Sequence, residues 1–146
     1  MIKKQKKTTA ARALPIPEGS RGRFHDLREI FDYLNAEYFR RVADAKIVWG
    51  WPYGRPRHGD ETLGTYTYEE RRIIVHPILD QAGVPRYVVE ATVFHEMLHQ
   101  FIPYRTVRGR HIFHTPFFLE AERQFRHYDL VRQWEKRNLK RFFLAI

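Results

Sequence analysis

Apolar residues recur along the chain at spacings that predict helices and short strands in alternation. From Asp26 to about Val42 they stand three and four residues apart, which is the spacing of an amphipathic helix. This apolar stripe consists of Leu27, Ile30, Phe31, Leu34 and Tyr38. Lys46 to Trp51 is short, β-branched and aromatic, which is typical of a strand. Pro52 to Asp60 is rich in Gly, Pro and Arg, so we predict a loop there.

A hairpin is predicted after this loop. Leu63 to Tyr68 and Arg71 to Val75 both have the composition of strands, and only Glu69-Glu70 separates them. Pro77 ends the second strand, because proline has no N–H to donate to a neighbouring strand. The chain therefore contains the strands of a small antiparallel or mixed sheet.

The next segment is apolar on most of its surface and predicts a helix from Pro85 to about Ile102. Proline suits the first helical position, because an N–H there would have no partner within the helix. A helix that is apolar nearly all round belongs in the middle of a domain. We therefore expect this helix to be the central element of the fold.

Further helices are predicted in the last third of the chain, after an arginine-rich loop. Thr115 and Pro116 are a favourable N-cap and first residue, and Leu130 to Ile146 also has a helical pattern. The apolar positions of these two helices are Phe118, Ala121 and Phe125 in the first and Leu130, Trp134, Leu139 and Phe143 in the second. Residues 1–23 are polar and rich in Pro and Gly, so we expect a basic flexible tail followed by one α+β domain over residues 24–146.

The charge of the chain is concentrated at its two ends. The 146 residues carry a formal charge of +9, with +6 in residues 1–23, +5 in residues 123–146 and −2 between them. Basic residues can neutralise phosphates, and in the C-terminal segment they alternate with aromatic residues that can stack on unpaired bases. The partner that this pattern suits is single-stranded DNA or another nucleic acid. The candidate contacts are Lys3, Lys4, Lys6, Lys7, Arg132, Lys136, Arg137, Lys140 and Arg141. The alternative, which is the commoner case for runs of charge, is an amphipathic surface helix whose aromatic residues pack on the core and whose charges are solvated and serve only solubility.

Several classes of protein are excluded by composition. The chain has no cysteine, so disulfides, thiol catalysis and thiolate zinc sites are ruled out. No apolar run reaches the length of a secretory signal or of a membrane-spanning helix. We therefore expect a cytoplasmic monomer, with association to the nucleoid as a variant of that location, and no membrane partner. Any metal site has to use histidines and carboxylates.

The central helix contains His95-Glu-Met-Leu-His99, a pattern with a clear chemical meaning. Four residues are about one helical turn, so both imidazoles lie on one face and can bind a single Zn²⁺ ion. Glu96 stands beside them and can hold a water without binding the metal. An accidental match to this pattern in such a chain has a probability of roughly 0.03. The sequence therefore predicts the H-E-x-x-H arrangement of a zinc hydrolase.

A third protein ligand is needed, because catalytic zinc keeps its fourth position open. Ile102 and Arg105 stand where the metzincin pattern requires glycine and histidine, so that class is excluded. His114 is favoured by its place directly before the predicted helix start. The alternative third ligands are His111 and a glutamate of the following helix, Glu120 or Glu122. Of these, we expect His111 to lie near the site and not to bind the metal.

These motifs give the chain a family resemblance. His95-Glu-Met-Leu-His99, followed by His114-Thr-Pro-Phe-Phe118, resembles the SprT-like (Spartan-type) zinc metallopeptidase domain over roughly residues 24–130. The resemblance implies a zincin-like domain, with a small sheet packed on the active-site helix and further helices flanking it. It also implies that the three histidines are ligands of one zinc ion and that Glu96 is the catalytic base. Eukaryotic members are DNA-dependent proteases that act on crosslinked proteins.

We accordingly expect a zinc metalloendopeptidase that acts on protein or peptide substrates. The resemblance further implies that it associates with DNA and acts on DNA-bound or crosslinked proteins. An extended substrate could lie beside the exposed edge of the sheet, within Leu63 to Tyr68. The candidates for stabilising the oxyanion are Tyr66, Tyr104, Arg105 and His111. Two alternatives are a zinc hydrolase without any nucleic-acid role and a basic nucleic-acid-binding module with structural zinc.

Overall fold

The fold is a small sheet with helices packed around one long central helix. A computed structural model describes residues 14–54 and 61–144. The helices are α1 (Leu27–Tyr38), α2 (Arg86–Phe101), α3 (Pro116–Glu122), α4 (Tyr128–Trp134) and α5 (Lys140–Leu144). The strands are β1 (Lys46–Trp49), β2 (Gly64–Thr67), β3 (Arg72–Val75), β4 (Arg105–Val107) and β5 (Arg110–Ile112). Short 3₁₀ turns cover Pro52–Gly54 and Pro77–Leu79.

The main sheet has three strands in the order β1-β3-β2. β3 pairs in parallel with β1, where Ile47 lies opposite Ile73, and antiparallel with β2, where Tyr66 lies opposite the same residue. The predicted hairpin and the small mixed sheet of an α+β fold are therefore confirmed. β2 forms one edge of this sheet, and it packs against α2.

α1 begins as predicted and ends earlier than predicted. The Asp26 side chain caps the helix by accepting hydrogen bonds from the backbone N–H groups of the first turn. Beyond Tyr38 the chain turns sharply, and Arg40 and Arg41 both adopt positive φ angles that end the helix. The expected extension to Val42 is wrong for this reason.

α2 occupies the centre of the molecule, as its apolar surface predicted. It contacts α1, α3 and α4 as well as β2 and β3. Val88, Val89, Val93 and Met97 are at most 1% exposed. Pro85 has an extended backbone and stands at the N-cap, one residue before the predicted first-turn position. The prediction of the central helix is confirmed to within one residue at each end.

The end of the predicted tail is anchored to the domain. The Asp80 carboxylate accepts hydrogen bonds from the backbone N–H groups of residues 23–25 at distances of 2.7 to 3.0 Å. Gly22 passes so close to this carboxylate that a Cβ atom would not fit there. The last residues of the segment predicted to be a tail are therefore held against the domain. Residues 1–13, which include the four N-terminal lysines, lie outside the described residues.

The segment between α2 and α3, predicted to be an arginine-rich loop, contains a second hairpin. β4 and β5 pair antiparallel, with Val107 opposite Arg110. Arg108 and Gly109 between them both have positive φ angles, 50° and 77°, as the two central residues of a type I′ turn do. All six strand residues are exposed. The pattern lacked the Asn-Gly pair that usually signals this turn, so the hairpin was missed.

The C-terminal helical prediction is confirmed within the described residues, with corrections of detail. α4 continues through a π-helical turn, Glu135–Leu139, into α5. Val131 is buried in the core, whereas Leu130, an apolar position of the predicted helix, is 47% exposed. α3 ends at Glu122, so Phe125 belongs to the connection after this helix, where its side chain is buried in the core. None of the helices in the described ranges is long and apolar enough to cross a membrane.

Candidate metal centre

Three histidines from two parts of the chain meet at the C-terminal half of α2. His95 and His99 stand one turn apart on this helix, and their ring centroids are 5.1 Å apart. His114 comes from the residues between β5 and α3, and its Nε2 atom lies 3.0 Å from Nε2 of His95. One ligand atom from each of the three rings lies within 4.8 Å of the others. The structure thus brings together the three residues predicted to be metal ligands.

The start of α3 determines where His114 lies. Thr115 caps the helix, since its hydroxyl accepts a hydrogen bond from the backbone N–H of Phe118 at 3.2 Å. The Phe118 ring is completely buried and stacks on His99, with 4.6 Å between the ring centroids. It also contacts the rings of His95 and His114 at 4.9 and 5.1 Å. One buried aromatic ring therefore supports all three imidazoles.

The two glutamates considered as ligands have different surroundings, and neither belongs to the three-histidine group. Glu122 accepts a hydrogen bond from Nδ1 of His95, whereas Glu120 pairs with Arg123 at 3.1 Å on the exposed face of α3. Burial would raise the pKa of Glu122, but the hydrogen bond from His95 and the nearby positive charges hold this pKa below its usual value. Glu122 is therefore ionised, and it contacts the three-histidine group by its hydrogen bond with His95.

The pKa values of the histidines differ according to their neighbours. Burial, together with the charges of His95 and His114, lowers the pKa of His99 to about 3. The Tyr68 hydroxyl lies 3.4 Å from Nδ1 of His99 and was not among the predicted site residues. For His95, burial favours the neutral ring, but the hydrogen bond to Glu122 and the nearby carboxylates outweigh it and raise the pKa. A proton therefore competes with a metal at His95 more than at His99.

Glu96 is buried beside the histidines, with 6% of its surface exposed. One carboxylate oxygen lies 3.9 Å from Nε2 of His95. Burial raises the pKa of Glu96 to about 7, which is near the value that suits a general base at neutral pH. The edge strand comes very close here, because a Cβ atom on Gly64 would stand 3.2 Å from Cγ of Glu96.

A cavity of about 620 Å³ opens over this group. β2 and the residues before it form one wall, α2 forms the floor, and α4 with the following turn forms the other wall. Tyr66 lines the cavity and is the one predicted oxyanion candidate that does so. The other candidates, Tyr104, Arg105 and His111, belong to the exposed hairpin region, where His111 lies 3.1 Å from the Thr106 hydroxyl.

The basic residues predicted to contact nucleic acid fall into two groups. Lys3, Lys4, Lys6 and Lys7 lie outside the described residues. The C-terminal group is exposed along α4, the π-helical turn and α5, and it consists of Arg132, Lys136, Arg137, Lys140 and Arg141. Arg132 also lines the cavity, together with Glu135. These five basic residues come later in the sequence than the elements that carry the three histidines.

The donor set suits zinc. Three imidazole nitrogens are ligands that Zn²⁺ prefers, and two such nitrogens on a tetrahedral ion stand about 3.3 Å apart. The 3.0 Å between Nε2 of His95 and Nε2 of His114 is close to that distance. Glu96 is beside the group and not part of it. Three protein ligands with a neighbouring carboxylate are typical of a site that leaves one position for water or substrate.

Comparison with protein families identifies the family of this chain. The sequence profile of the SprT-like family matches residues 27–136, which span α1 to the start of the π-helical turn. Because the match covers most of the chain, the protein belongs to the SprT-like family. Searches of curated proteins and of solved structures found no match. The predicted family is therefore confirmed.

Proposed function

We propose that this protein is a zinc-dependent metalloendopeptidase with a zincin-like active site. The observation that carries the proposal is the convergence of His95, His99 and His114 beside the buried carboxylate of Glu96, at the floor of an open cavity. The three histidines would hold one zinc ion. A purely structural zinc site has no need of a base beside an open position, which argues against the structural-zinc alternative.

The chain's own residues account for the proton transfers of peptide hydrolysis. When bound, Zn²⁺ supplies Lewis acidity, which makes water more acidic and polarises a carbonyl group. Glu96 accepts the proton of the attacking water and then delivers it to the leaving amine. Burial raises the pKa of Glu96 in the metal-free protein, and the same buried position places its carboxylate beside the three histidines, where it can take up and release a proton. Tyr66, which lines the cavity, remains the candidate for stabilising the oxyanion.

The edge of the sheet suggests how a substrate binds. Within residues 14–54 and 61–144, β2 pairs with β3 alone, and residues of β2 line the cavity beside Glu96. An extended peptide can add to such an edge through backbone hydrogen bonds. This mode requires an unfolded or extended segment, so we expect cleavage in flexible regions of protein substrates.

Association with DNA is the second part of the proposal. The five exposed basic residues of the C-terminal helical segment offer positive charges to phosphates. The aromatic residues beside them, Trp134, Phe142 and Phe143, pack against the core, so the proposal is supported by the charges and not by base stacking. Affinity from such contacts falls steeply as salt is raised. Salt-independent or undetectable binding to single-stranded DNA would leave a zinc hydrolase without a nucleic-acid role.

One assay tests these proposals together. Casein and histone are incubated with the purified protein, with and without single-stranded DNA, and with a chelator as control. We expect fragments that disappear with the chelator and return with added Zn²⁺, and faster cleavage when DNA is present. Cleavage that persists after complete removal of metal would refute the zinc peptidase. Cleavage that is unaffected by DNA would refute only its DNA dependence.

A further inference from the structure

Glu122 is a charged group at the site to which the proposed reaction assigns no task. It lies at the end of α3, and its side chain is 25% exposed. Its carboxylate contacts Nδ1 of His95, while Nε2 of the same ring faces His114. The two nitrogens of His95 therefore have different partners, one a carboxylate and the other a second histidine.

These contacts determine where the His95 ring carries its proton. An ionised carboxylate can only accept hydrogen bonds, so Nδ1 of His95 is the donor. In the neutral ring the lone pair is then on Nε2, which points toward the other histidines. This is the tautomer in which His95 can bind a metal together with His114.

We propose that Glu122 is a positioning residue, which holds the His95 ring in the tautomer and orientation that metal binding requires. Histidine ligands commonly donate their second N–H to a carboxylate, which also makes the ring a stronger ligand. The inference rests on the metal site of the proposed function. It does not depend on which substrate is cleaved.

The same helix offers a matched control. Glu120 stands two residues before Glu122, but it is 67% exposed and pairs with Arg123 instead of a histidine. Both residues carry the same charge on the same helix. A change at Glu120 therefore reproduces the loss of a carboxylate on α3 without removing the contact to His95.

The test measures zinc affinity by competition with a chromophoric chelator for the wild type, Glu122→Ala, Glu122→Gln and Glu120→Ala. We expect Glu122→Ala to bind zinc roughly 10- to 100-fold more weakly, the range typical for loss of such a partner. Glu122→Gln should fall between it and the wild type, because the amide oxygen still accepts a hydrogen bond but lacks the charge. Glu120→Ala should stay within about twofold. Thermal melts of the metal-free proteins show whether each variant folds.

Two results would overturn the inference. One is wild-type zinc affinity in Glu122→Gln or in a folded Glu122→Ala variant. The other is a change in the Co²⁺ absorption spectrum of Glu122→Ala or Glu122→Gln that indicates the loss of a ligand, since Glu122 would then bind the metal directly. Retention of the wild-type spectrum at reduced affinity supports positioning through His95. A wild-type protein that binds zinc but cleaves no protein would refute the proposed function and leave this inference intact.

Discussion

The candidate metal centre is built from two regions that differ in how firmly the fold holds them. α2 provides His95, Glu96 and His99 from the middle of the core, and the last two are 6–7% exposed. Residues 103–122 provide His114 and Glu122 from a surface segment whose hairpin strands are entirely exposed. One half of the site is therefore placed by core packing, and the other is placed by a helix cap, a stacked ring and a carboxylate contact.

The two regions also differ in electrostatics. In the core half, burial opposes charge, so the pKa of Glu96 is raised and that of His99 is lowered. In the surface half, Glu122 stays ionised because its partners outweigh its partial burial. We therefore expect the core half to determine the proposed chemistry and the surface half to complete the candidate metal site. The following predictions test this division.

The largest effect is expected from Glu96→Gln in the core half. Without the base, turnover of a protein substrate should fall by roughly 10²- to 10⁴-fold, while one zinc ion remains bound. Initial rates and metal analysis of the same sample measure both quantities. Glu90→Gln is the matched control, because Glu90 is also buried in α2 but is hydrogen-bonded to Arg86. If Glu96→Gln retains full activity, Glu96 is not the base.

The second prediction separates the two regions through their histidines. His114→Ala and His99→Ala should both weaken zinc binding by at least about 100-fold, since each removes one of three ligands. Only His99→Ala should also destabilise the metal-free protein, by about 1–3 kcal/mol, because that ring is buried against Phe118. His114→Ala should change the free energy of unfolding by less than about 0.5 kcal/mol. Equal destabilisation of the metal-free protein by His99→Ala and His114→Ala would contradict the distinction between a core half and a surface half.

The third prediction concerns the buried charge of Glu96 in the metal-free protein. The folded-state pKa is about 7 and the unfolded value is 4.5, so folding becomes less favourable as the pH rises between these values. Glu96→Gln carries no such cost. We expect the variant to be more stable than the wild type by about 3 kcal/mol at pH 8 and to match it near pH 4. Urea denaturation at both pH values measures this, and a pH-independent difference would contradict it.

The smallest effects are expected from two glycines, one in β2 packed against the core half and one within the surface half. Gly64→Ala should disturb the core half, since its Cβ would press on Glu96, Thr92 and a backbone oxygen at 3.2 Å, at a cost of about 1–3 kcal/mol. Gly109→Ala should cost about 1 kcal/mol from its positive φ angle alone. Its added Cβ meets no atom within 4 Å. Thermal melts measure the stability of both variants. A larger loss of stability in Gly109→Ala than in Gly64→Ala would contradict this prediction.

Local patterns were sufficient to predict much of the fold and the core half of the site. The spacing of His95 and His99 is one turn of any α-helix, and the apolar surface of α2 requires burial, so both could be inferred without a structure. The Thr115 cap is likewise a local interaction between a hydroxyl and a backbone N–H. Such features depend on neighbours in the chain, which the sequence displays directly.

Other features were decided only by tertiary structure. The contacts of Glu122 with His95 and of Tyr68 with His99 join residues 27 and 31 positions apart, and no spacing rule relates such positions. The role of Gly64 depends on how closely β2 passes α2, which is a property of packing between elements. The sequence by itself thus determined which residues can bind a metal and which helix carries two of them. The tertiary structure decided the third histidine's position and the partners of each ring, because these contacts form only when distant segments pack together.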